Sequence, residues 1–99
     1  MDERETIVRM LQQLLKELEI VSAQGAGYYT CSPFARRYNK LLGAATHLLS
    51  GNTIMATFEP LPSEDPKDPA DKSKMLLEIR IEATQLISLL ESAKEHPTA

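Results

Sequence analysis

The 99 residues, 42% hydrophobic and 25% charged, have the composition of one ordinary soluble domain with a modest core. No apolar run approaches the ~18 residues of a membrane span, and a single cysteine excludes an internal disulfide framework. A formal charge of −3 argues against binding to duplex nucleic acid.

The start, Met1 to Glu5, is charged and acidic. It reads neither as a signal peptide nor as a basic transit peptide, so a cytoplasmic protein is expected. The first helix is predicted over about residues 3–22. Its apolar residues Ile7, Leu11, Leu14, Leu18 and Val21 recur at 3-4-3-4 spacing and so form one stripe. Asp2, Glu3 and Glu5 suit the positive end of the helix dipole. Met10 and Leu15 widen the stripe, which implies two neighbouring helices rather than one. Gly25-Ala26-Gly27 ends the helix, with Gly25 suited to a left-handed stop. This fragment lacks the third glycine and the lysine-serine pair of a nucleotide-cradling loop.

Tyr28 to Cys31 form a connector. Ser32-Pro33 then predicts a helix over about 33–50, with the serine hydroxyl as cap and proline at the first helical position. Its stripe is Phe34, Tyr38, Leu41, Ala45 and Leu48, and Gly51-Asn52 stops it. Residues 53–58 suggest one helical turn capped by Thr53, with Ile54, Phe58 and Leu61 packed on the bundle. Residues 62–71 form a polar loop containing Pro62, Pro66 and Pro69. Asp68-Pro69 opens a third helix over about 69–95, whose stripe is Leu76, Ile79, Ala83, Leu86, Leu90 and Ala93. Glu78, Glu82, Glu91 and Glu95 read as its solvated face.

These elements predict an all-α fold: a three-helix up-down-up bundle with a short extra helical turn. Met75, Leu77, Ile81 and Ile87 lie off the main seam of the long third helix. Helix packing between two copies would bury them, so a homodimer is expected.

Charge is distributed unevenly. Residues 1–24 hold three basic and five acidic side chains, and residues 57–99 hold five and nine. The middle helix holds Arg36, Arg37 and Lys40 and no acid. Two cations in the first turn oppose the dipole at ~0.3–1 kcal/mol each. Carboxylates on the flanking helices are the expected counter-charges. Tyr28, Tyr29 and Phe34 are three of the five aromatics, and an exposed tyrosine beside arginines suits a binding hot spot. Tyr28, Tyr29, Arg36, Arg37 and Lys40 are therefore the candidate residues for a partner or ligand.

No catalytic or metal-ligating pattern stands out, and no cofactor is expected. Cys31 precedes a helix and two arginines, which favours thiolate. A nucleophile would still need a base. His47 lies ~22 Å away along the helix, and His96, near Cys31 in an up-down-up bundle, falls in a tail expected to fray. The reading that follows is a non-enzymatic interaction or regulatory module that packs helices with itself or a protein partner. The alternative is a small-ligand or nucleotide sensor at the Tyr28–Arg37 end.

Overall fold

The computed structural model describes residues 2–24 and 31–95. Its regular elements are α1 (Glu3–Ala23), α2 (Ser32–Leu48), a 3-10 turn (Met55–Thr57) and α3 (Pro69–Glu95), with no strand among the described residues. The fold is an all-α three-helix bundle with the short extra turn. The expected stop at Gly25 lies outside the described residues.

α1 starts where Asp2 accepts a hydrogen bond from the Glu5 N–H at 2.8 Å. A carboxylate there satisfies an orphan donor and complements the dipole. Ile7, Leu11, Leu14 and Leu18 are buried, and Val21 and Leu15 are half-buried against them. Met10 is 49% exposed, so the apolar face is narrower on that side than its sequence suggests.

α2 buries Ala35, Tyr38, Leu41, Leu42 and Ala45. Ser32 is not its cap. It lies within the helix, and Cys31 stands at the N-cap position without a side-chain capping bond. The orphan N–H groups of Cys31 and Ser32 instead donate to the carboxylate of Asp65, far along the chain. The helix ends at Leu48, slightly earlier than expected, and Gly51 turns the chain with a φ of 91°.

The 3-10 turn is capped by Asn52, not Thr53. The Asn52 Oδ1 accepts from the N–H groups of Ile54 and Met55 at 2.8 and 3.0 Å. This phase buries Met55 and leaves Ile54 57% exposed, the reverse of the expected packing for Ile54. Phe58 and Leu61 do pack against the core. α3 opens as expected, with Asp68 accepting from the Ala70 N–H at 3.0 Å. It buries Leu76, Ile79, Ala83, Leu86 and Leu90.

The direction of α3 corrects the up-down-up expectation. The Arg37 guanidinium near the start of α2 reaches Glu17 late in α1, so these two helices are antiparallel. At the start of α2, the Cys31 thiol donates to the carbonyl of Lys72 at the start of α3. One cleft joins Arg4, Glu5, Val8 and Arg9 of early α1 to Glu91 of late α3. α3 therefore runs parallel to α2 and antiparallel to α1: up-down-down. α1 packs broadly on both other helices, while α2 and α3 share a smaller contact.

Parallel neighbours need a crossover, and residues 49–68 supply it. α2 is ~25 Å long, well within the reach of that stretch at ~3.3 Å per extended residue. The stretch doubles back along α2 as a strap. Midway, the Asn39 side chain grips the Leu61 backbone in both directions: Nδ2 donates to the carbonyl at 2.8 Å, and Oδ1 accepts from the N–H at 2.8 Å. Pro60, Pro62 and Pro66 oppose helix formation in the strap. Asp65 then fastens its end to the positive pole of α2.

Candidate functional site

The candidate residues belong to one end and one outer face of α2. Tyr28 and Tyr29 lie outside the described residues. Ala35, Tyr38, Leu42 and Ala45 point α2 inward. The 100° step per residue then places Arg36, Lys40, Gly43 and His47 on the opposite side. All four are exposed.

Among the described residues, Arg37 alone of the three expected cations meets an acid. Its guanidinium donates to Glu17 at 2.8 Å, with both side chains partly exposed. That bond, then the one from Gln13, holds the Glu17 carboxyl below its ordinary 4.5. The Arg36 guanidinium donates to the hydroxyl of Ser32 at 2.7 Å and keeps further donors free. The side chains of Lys40 and His47 make no hydrogen bond or ion pair among the described residues. Among the described residues, flanking acids thus neutralise one cation and leave Arg36 and Lys40 at the head of a polar stripe that runs ~16 Å to His47.

Gly43 sits in the middle of this stripe. A Cβ added there would meet nothing within 4 Å, and its φ is not positive. Among the described residues, neither packing nor backbone conformation calls for glycine there. His47 and Gly43 were not singled out from sequence as partners of Arg36 and Lys40. The 4-3-4 spacing from 36 to 47 was the signal that could have found them.

α3 offers a second surface. Met75 and Ile87, two of the off-seam apolars, pack on the chain's own core. Leu77 and Ile81 stay 54% and 46% exposed, one helical turn apart. Thr84, Gln85, Ser88 and Ser92 continue the same outer side, exposed and neutral, and exposed Arg80 borders the hollow that Leu77, Ile81, Thr84 and Gln85 line.

A cleft of about 260 Å³ opens between the strap and the start of α3. Leu61, Pro62, Pro66 and Met75 line it, with Glu64, Asp71, Glu78 and Lys74. Three acids against one cation disfavour a phosphate-bearing ligand there.

The Cys31 surroundings reverse the expected thiolate character. The residue is fully buried. Burial first, and the Asp65 charge second, push its pKa above the ordinary 9.0 against a smaller opposing effect of Lys72. Capping by a carboxylate replaces the bare helix terminus that would favour thiolate. His47 lies on the outer face of α2, away from Cys31, and His96 lies outside the described residues. α3 also begins, rather than ends, beside Cys31. Among the described residues, no group of three or more His, Cys, Asp or Glu side chains is placed to hold a metal ion. No helix among them is long and apolar enough to cross a membrane.

Comparison with known proteins gives no relative: no family model, no curated protein and no solved structure matches the chain.

Proposed function

We propose that the protein is a non-enzymatic helical interaction module that pairs with a second copy of itself through α3. The carrying observation is the exposed Leu77–Ile81 pair, followed along the helix by the neutral side chains of Thr84, Gln85, Ser88 and Ser92. Large apolar side chains adjacent on a helix suit close helix packing, with Arg80 at the edge of the hollow that they line with Thr84 and Gln85. A two-fold pair would bring this face onto itself and bury both apolar residues in each copy. A single buried thiol fits a reducing compartment, and the cytoplasm is the proposed location.

The sensor alternative has less behind it. Of its candidate cations, Arg37 already bonds Glu17.

Light scattering across micromolar concentrations should give about twice the chain mass of 11.0 kDa. The double variant Leu77→Ser, Ile81→Ser should run as a monomer with an unchanged helical spectrum, since both sites are half-exposed. A monomer mass for the native chain throughout would rule out self-pairing. A dimer unaffected by the double substitution would move the interface away from this face.

A further inference from the structure

The outer face of α2 is a separate surface, with chemistry unlike that of α3. We propose that it docks a carboxylate-bearing helix of another protein, with Gly43 at the point of closest approach. The inference rests on the reading of the chain as an interaction module, but it uses a face that self-pairing through α3 leaves free.

Two independent observations carry it. The first is charge. Arg36, Lys40 and His47 line one side of a helix that holds no acid, and Lys40 and His47 have no side-chain partner among the described residues. Arg36 and Arg37 stand near the positive pole of α2, where only an anion relieves them. Arg37 has its anion in Glu17, whereas among the described residues Arg36 has only a neutral hydroxyl.

The second is Gly43. Glycine is the least favourable helix-interior residue after proline, and here no contact among the described residues requires it. A missing side chain on an exposed helix face lets another backbone approach closely, with the long cations Arg36 and Lys40 before the gap to reach its carboxylates and the His47 imidazole after it as a polar neighbour. Lys40 and His47 lie one turn before and one turn after the gap.

The same geometry selects the partner. A second copy applied about Gly43 would bring a face that also holds no acid, and so would offer Arg36 and Lys40 no carboxylate. Nucleic acid and anionic membranes attract cations in larger numbers, and the rest of this chain is net acidic. A single acidic helix matches both the length of the stripe and its central gap.

The probe is a helical peptide with glutamates spaced as Arg36, Lys40 and His47 and alanine at the centre of that face. Controls are its glutamine twin, a short DNA duplex and phosphatidylserine vesicles. Amide shifts in nuclear magnetic resonance should cluster over residues 36–47 with the acidic peptide, and added salt should weaken the effect. The twin should bind at least ~10-fold more weakly, the loss expected from removing charge-assisted bonds. Gly43→Gln should raise the thermal midpoint by ~2–8 °C, as helix propensity gives, while weakening peptide binding at least ~5-fold by filling the gap.

A peptide that leaves α2 unshifted at millimolar concentration overturns the proposal. So does native affinity in Gly43→Gln, or tighter binding to the duplex or vesicles than to the peptide. A lowered midpoint in Gly43→Gln would show that the chain itself needs the glycine, and would equally overturn it. Repeating the titration with the Leu77→Ser, Ile81→Ser variant separates failure of this surface from failure of self-pairing.

Discussion

Tyr38 is the largest fully buried side chain of the core, and its hydroxyl has no hydrogen-bond partner among the described residues. A buried polar atom left unpaired costs ~1–3 kcal/mol. Tyr38→Phe should therefore match the native chain or exceed it by up to ~2 kcal/mol in a denaturant melt. A clear loss would mean that a buried water pairs with the hydroxyl. Burial, then the Glu82 charge, drives the phenol pKa well above its ordinary 10.0. The folded state thus keeps the proton where the unfolded chain releases it, so stability falls as pH rises past 10. The phenylalanine variant should lose less over that alkaline range. Glu17 has the opposite sign. Its lowered pKa stabilises the fold above the ordinary value of 4.5, and the benefit fades as pH falls below it.

At the level of elements, the strap is held by two side chains of ordinary appearance. Asn39→Ala leaves the Leu61 N–H and carbonyl without their partner and should cost ~1–3 kcal/mol. Asp65→Ala removes the cap of α2 and should cost ~0.5–2 kcal/mol. Hydrogen exchange should show faster opening over residues 55–65 in both variants, with α1 protected as before. Equal loss of protection throughout would mean that the strap and bundle open as one unit. Local signals made the helices legible: the three stripes, Asp68-Pro69 and Gly51 all act within a few residues. The direction of α3 depended on Asp65 meeting Cys31 across 34 positions and Asn39 meeting Leu61 across 22. An asparagine in a helix and an aspartate in a proline-rich loop announce no partner at such distances. The α2 cations were legible by type. Their division into one paired and two unpaired depended on which side of α2 faces α1.

Across the whole molecule, α1 is the shared wall on which both parallel helices rest. Leu86 is fully buried midway along α3, and Leu86→Ala should cost ~2–5 kcal/mol in a denaturant melt. A change of a few tenths would mean that α3 packs more loosely than its stripe implies. The crossover also orders events in time. α1 and α2 adjoin in sequence and can pair as an antiparallel hairpin after closing only a short loop. α3 cannot lie beside α2 until the strap has turned back along it, a closure whose entropy must be met before any contact rewards it. The α1–α2 hairpin should therefore form first and α3 should dock last. In stopped-flow experiments, Leu86→Ala should chiefly hasten unfolding, whereas Leu14→Ala on α1 should slow refolding. Equal effects on the two refolding rates would place α3 in the folding nucleus. A connector that looks like a passive loop would thus set which helix arrives late and leaves early.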